Sequence, residues 1–221
     1  MLTGCGCTVF VFFQQYYKSW PMMPMHLTII GVTAFLTVIW LFTTLKNSAH
    51  TSASEGFILQ ITIIVLSLIS LICPKDFYLP FIRSISIWSH FFLLFAIPAK
   101  AYLIYGGITA LALLITHRNH EQNKMISIAA NRVVTGYGLL TLSMFSGEIW
   151  SYLGWGTPVV WRDPAITTII ATWFYWTCLL HLHTIGSWTV RRRAVFMVVG
   201  AMLVLILGLH PDIGPLRAGL L

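Results

Sequence analysis

Two histidines and three tryptophans carry most of the chemistry that this chain can offer. A neutral imidazole gives a lone pair to a metal, and His90 and His210 are both placed near the ends of long apolar segments. Trp150, Trp155 and Trp161 fall with Tyr152 inside residues 147–163, GEIWSYLGWGTPVVWRD, which also hold Glu148 and Asp163, two of the six acidic residues. Two imidazoles facing each other across a gap can hold a haem iron from both axial sides, and indoles supply the broad apolar faces on which a porphyrin packs. The same residue types have a plainer use, because indoles and imidazoles also settle at the lipid headgroup level. Either histidine alone reads as such an interfacial residue. The pair, together with three indoles on one face, reads as a ligand site, provided that the apolar segments bring them to the same level.

Those segments dominate the chain. Of 221 residues, 57% are hydrophobic and only 9% charged, and the mean hydropathy is +0.82. Soluble domains carry about 25% charged residues, so this composition points to a membrane. The net charge of +7 is scattered between apolar runs and forms no stripe, which excludes nucleic acid and makes the Lys and Arg topology signals. The expected fold is all-α, a polytopic integral membrane helical bundle with about six transmembrane helices. The spans are expected at 27–45, 57–73, 87–116 (kinked at Pro98), 126–145, 165–185 and 194–209. Residues 1–25 read as an N-terminal interfacial segment, because the apolar run 7–13 is too short to span and Tyr16, Tyr17, Lys18 and Trp20 form an aromatic belt. Residues 26–221 form a single transmembrane domain. Cys5, Cys7, Cys73 and Cys178 are expected to form no essential disulfide. No Walker loop, H-E-x-x-H or G-x-S-x-G occurs.

The triple arginine, Arg191, Arg192 and Arg193, decides the orientation. Its loops, with Lys46, Arg118 and Lys124, face the cytoplasm. The Trp-rich loop between the fourth and fifth spans then lies on the outer side, at the level of His90 and His210. His117, His120 and His50 read as solvated loop residues. His181 lies within the fifth span, where an ionisable side chain is a functional candidate. It would ligate a second haem, or hydrogen-bond to a neighbouring helix near Thr135 or Ser143.

Residues 131–150, NRVVTGYGLLTLSMFSGEIW, and 155–167, WGTPVVWRDPAIT, resemble the cytochrome c assembly proteins of the CcsA/CcmC type, which handle haem for attachment to apocytochrome c. Trp173, Tyr175 and His181 are similar to the pattern that follows the family's tryptophan-rich signature, and Gly208, Leu209 and His210 to its final outer-surface His motif. The resemblance covers about 87–212 and is closer to CcsA, in the lead-in helix and in His181. It implies that His90 and His210 are the axial ligands of a non-covalent, b-type haem, and that Trp150, Trp155, Trp161 and Asp163 form its cradle. His181 would be the intramembrane His. The cradle departs from the family's denser Trp-x-Trp-Asp-Pro ending. It reads Val159, Val160, Trp161, Arg162, Asp163, Pro164, so at least one indole is missing, and Ala165 and Ile166 replace a Lys-Glu pair.

The function expected from these residues is a haem-binding membrane protein that presents haem on the outer face for covalent attachment in cytochrome c biogenesis. It would be a haem chaperone or part of a cytochrome c synthase rather than a stand-alone enzyme. The implied partners are apocytochrome c (or another haem acceptor), a CcsB-like or other membrane subunit, and the lipid bilayer. The membrane is a bacterial or archaeal plasma membrane or the inner membrane of an organelle. The competing reading is a haem-containing or structural subunit of a respiratory or electron-transfer complex.

Overall fold

The computed structural model describes residues 2–20, 27–46, 53–72, 86–115, 122–159, 161, 164–182 and 188–209. Every regular element among them is an α-helix: α1 (Leu2–Ser19), α2 (Thr28–Lys46), α3 (Ala53–Ile72), α4 (Ile87–Ile115), α5 (Gln122–Trp155), α6 (Pro164–Leu182) and α7 (Val190–Leu209). The all-α expectation holds, and six helices coincide with the six apolar segments. By length and composition, Ile87–Ile115 and Gln122–Trp155 are able to cross a membrane, and Thr28–Thr44, Ser54–Ser70 and Ile166–Leu182 are shorter apolar helices.

Helix α4 is the axis of the bundle. It is apolar on every side, so no face of it prefers water, and it packs against α2, α3, α5 and α7. It runs unbroken past Pro98, for about 44 Å at 1.5 Å per residue. Helix α5 returns antiparallel along it. A Cβ on Gly136 would come within 2.9 Å of the Leu103 side chain. Further along, the Ser143 hydroxyl donates to the Phe92 carbonyl at 2.8 Å. A methyl group on Gly107 would overlap Ala201, so α7 lies backbone-close on α4 as well. Small residues at such crossings replace the hydrophobic drive that lipid removes. On α5 and α6, Tyr137 stacks on Trp173, and the Trp173 indole donates to Thr141 at 3.0 Å.

A buried polar knot ties four helices at the end of the bundle where α4 finishes. Glu55 of α3 is only 4% exposed. The Arg132 guanidinium of α5 lies 2.5 Å from its carboxylate, hydrogen-bonds Thr109 of α4 and sits 3.5 Å above the Tyr105 ring. The Tyr105 hydroxyl reaches Thr43 of α2 at 3.3 Å. Outside the core the helices present bare apolar side chains, among them Phe42, Ile64, Leu68, Val134, Phe145 and Phe174. That exterior suits hydrocarbon rather than water.

Two boundaries differ from the sequence reading. The fourth span was expected to end near 145 with a loop from 147, but α5 continues to Trp155. No proline interrupts that stretch, and the helix stops only where Gly156 turns left-handed (φ 73°), its N–H donating to the Tyr152 carbonyl at 2.9 Å. Pro158 follows, so Gly-x-Pro marks the true stop. Residues 1–25 carried no expected helix, yet α1 forms and buries Phe12 beside Gly31 and Ile97. Cys7 and Cys178 are free thiols.

Removing one partner of the knot strands a buried charge, whereas removing both does not. Glu55→Leu alone should cost about 3 kcal/mol or more, and Glu55→Leu with Arg132→Met less than the single change. Thermal unfolding in detergent, followed by circular dichroism, checks the order. A double variant less stable than the single one would show that Arg132 is not stranded when Glu55 is removed.

Candidate functional site

His90 is the fourth residue of α4 and only 5% exposed. Helix α1 covers it. The Tyr16 hydroxyl lies 2.6 Å from His90 Nδ1, and the Trp20 indole stacks on the imidazole at 4.5 Å with 28° between the planes. The Tyr16 ring meets it edge-on at 5.8 Å. This geometry decides what the imidazole can do. If Nδ1 carries the proton, it donates to the phenol oxygen and the ring's lone pair is on Nε2, as in metal-bound histidines whose other nitrogen is engaged. If Nε2 carries the proton, the phenol donates to Nδ1 and no lone pair is left for a metal. The contact therefore fits an axial ligand in one tautomer, with Tyr16 as the group that holds the ring in place.

The tryptophans follow from the α4–α5 pairing. Because α5 runs antiparallel, its last turns arrive where α4 begins. Gly147 leaves room for Phe92, which a Cβ there would meet at 2.8 Å. Trp150 packs on Phe92 at 6.0 Å and is 8% exposed, so its indole is part of the core rather than an open face. Trp155, partly buried, meets Trp150 edge-on at 5.4 Å. The Ser151 hydroxyl donates to the Thr157 carbonyl at 2.8 Å and the Thr157 hydroxyl to that of Val159, which pins the turn beyond α5. Trp161 is 69% exposed. The structure thus brings His90, Trp150 and Trp155 to one end of the bundle. Asp163 and His210 lie outside the described residues, His210 following directly on the last residue of α7.

His181 is elsewhere. It sits one residue from the end of α6, on an exposed face, and its Nδ1 lies 2.8 Å from the Thr177 carbonyl of its own helix. A carbonyl only accepts, so Nδ1 donates in this contact. Of the neighbours considered for it, Thr135 donates to the Asn131 carbonyl and Ser143 to that of Phe92. Among the described residues no three His, Cys, Asp or Glu side chains converge as an ordinary metal-ion site. A porphyrin brings four nitrogens of its own and asks the protein only for axial donors.

Sequence reasoning missed Tyr16, Trp20 and Phe92. The first two read as a headgroup belt, and nothing in a spacing of 74 residues signals their contact with His90. Trp20→Ala and Tyr16→Phe should make His90 several-fold more reactive toward diethyl pyrocarbonate in the full chain, read from the His90 peptide by mass spectrometry, while His181 stays unchanged. Equal His90 labelling in wild type and variants would show that α1 does not cover it.

A family model described as Cytochrome C assembly protein matches residues 5–211 of the chain. Among curated proteins, the chain is 30% identical over 86 residues to the cytochrome c biogenesis protein CcsA of Prochlorococcus marinus strain MIT 9215, covering 39% of this chain and 28% of that protein. It is 34% identical over 80 residues to CcsA of strain MIT 9515, covering 36% and 25%. The alignments thus span about a quarter of the length of these relatives. No solved structure matches. With the family model spanning nearly the whole chain and CcsA proteins among its relatives, this chain belongs to the cytochrome c assembly protein family and is CcsA-like.

Proposed function

We propose that the chain is a haem-binding membrane protein that presents haem on the outer membrane face for covalent attachment to apocytochrome c. The observation that carries the reading is His90. It is a buried imidazole whose Nδ1 is held by Tyr16, at the same end of the bundle as Trp150 and Trp155, in a chain of the cytochrome c assembly family.

In this reading α2 to α7 are six spans, and α1, about 27 Å long, lies beside α2. Arg191, Arg192 and Arg193 stand at the cytoplasmic end and the His90 end faces outward. His210, which follows directly on the last residue of α7 in sequence, is in this reading the second axial donor. Trp155 and Trp161 supply the apolar faces, with Trp150 bracing Trp155 from beneath. Asp163 belongs to the cradle in this reading, and the guanidinium of its sequence neighbour Arg162 pairs with a propionate. His181 lies toward the cytoplasmic end and in this reading serves a second, incoming haem.

The chemistry asked of these residues is holding and release. Haem, bound non-covalently as the b-type, supplies the vinyl groups to which the acceptor's two cysteines add. His90 is braced by Tyr16 and Trp20 and keeps its place, while His210, at the end of a helix, is the ligand that the acceptor's own histidine displaces. The protein contributes position rather than acid–base catalysis. A CcsB-like membrane subunit is the proposed partner.

Purified full-length chain should show a low-spin bis-histidine haem spectrum, and His90→Ala or His210→Ala should remove it. A correctly folded, colourless wild type would overturn the reading. Tyr16→Phe should keep the low-spin spectrum and raise the reduction potential, because Nδ1–H loses its acceptor and the ligand donates less charge to iron. The orientation has its own check. In a variant with its native cysteines replaced, Trp161→Cys should react with a membrane-impermeant maleimide added from outside, and a cysteine at Lys124 should not.

A further inference from the structure

An open groove of about 810 Å3 lies between α6 and the first turns of α7, away from the His90 site. Its floor is aromatic. Tyr175 stacks on Phe196 at 4.5 Å with 17° between the rings, and Trp188 meets Phe196 edge-on at 5.6 Å. The Tyr175 hydroxyl donates to the Phe196 carbonyl at 2.7 Å, which fixes the floor to the α7 backbone. The rim is cationic: Thr189, Arg191 and Arg192 border the groove, both arginines are exposed, and no acidic residue lines it among the described residues. Thr189 is the residue before α7 and its hydroxyl accepts the Arg192 N–H at 3.4 Å, so the positive end of the helix opens onto the same rim.

The groove does not end at the arginines. Val195 and Val199 line it and are each 46% exposed, and the exposed stripe continues along the same face of α7 through Met202 and Ile206. Steps of four, four, three and four residues from Arg191 keep these side chains on one face. From Arg191 to Ile206 the stripe is about 22 Å long at 1.5 Å per residue, the length of an extended acyl chain. One end is doubly cationic and the rest is apolar, which is the complement of an amphiphile with an anionic head and a long tail.

We propose that this groove binds one anionic phospholipid, its phosphate held by Arg191 and Arg192 and one acyl chain laid along Val195, Val199, Met202 and Ile206. Guanidinium forks match phosphate oxygens in pairs, and Trp188 stands where indoles settle at the headgroup level. The site uses the bilayer placement given above and is independent of the haem reading. The lipid fastens the cytoplasmic end of the α6–α7 pair, where packing between the two helices leaves the groove open.

Native mass spectrometry of the delipidated full chain in detergent tests it, with phosphatidylglycerol or phosphatidylcholine of the same acyl chains as probes. Wild type should take up one phosphatidylglycerol at about tenfold lower concentration than phosphatidylcholine, the order set by two arginines beside one anionic headgroup. R191Q/R192Q should bind the two lipids alike. Val199→Trp fills the groove and leaves both arginines, and should weaken phosphatidylglycerol binding by a similar factor with helix content unchanged. If R191Q/R192Q fails to fold, the Val199→Trp result decides alone. A wild type without headgroup preference, or one whose preference survives both changes, overturns the proposal. Displacement of the lipid by stoichiometric haem in His90→Ala would make the groove a tetrapyrrole site and overturn it too. A chain that stays soluble without detergent would instead sink the bilayer placement itself.

Discussion

The antiparallel contact of α4 and α5 is the constraint on which the rest of the bundle depends. It is close because Gly136 and Gly106 leave no side chain between the backbones, where Leu103 and Val133 fill the space instead. It is in register because two polar ties fix its ends, Ser143 on the Phe92 carbonyl at one and Arg132 on Thr109 at the other. A sliding of one helical turn would break both ties and drive Leu103 out of the gap at Gly136. With the register fixed, the first turn of α4 and the last turns of α5 share one end of the molecule, and His90 and Trp150 cannot be elsewhere.

Around that pair the other helices divide the work. Helices α2 and α3 close one side and deliver Thr43 and Glu55 to the buried knot. Helices α6 and α7 close the other, with α7 pressed on α4 at Gly107. Helix α1 makes no part of the knot. Its function in the fold is local: it seats Phe12 beside α2 and α4 and puts Tyr16 and Trp20 over His90.

The helices were legible because apolar runs of some twenty residues leave the backbone few choices, and the α4–α5 end shared by His90 and the tryptophans followed from counting alternations. The extent of α5 was not, because aromatic richness and two glycines outweighed the absence of any proline between 147 and 155, and the Gly156 stop was read as loop. Trp150 shows the limit of residue-type reasoning. An indole that suits a flat ligand suits Phe92 equally well, and only the packing tells which it meets. The Glu55–Arg132 pair lay unread for a similar cause: Glu55 sits in a polar link by sequence, and its burial comes from how α3 leans on α4 and α5.

The hydrogen bond between Tyr16 and His90 joins chain positions that are separated by the whole of α2 and α3. It makes the readiness of the imidazole a population property. Only molecules in which α1 is docked hold the ring by both Tyr16 and Trp20, so the apparent affinity of any ligand that needs His90 so held is its intrinsic affinity scaled by the docked fraction. A change at Phe12 or Gly31, where α1 rests on α2, then registers at His90 as weaker binding without touching the ligand, and the ligand in return steadies α1 by the same factor.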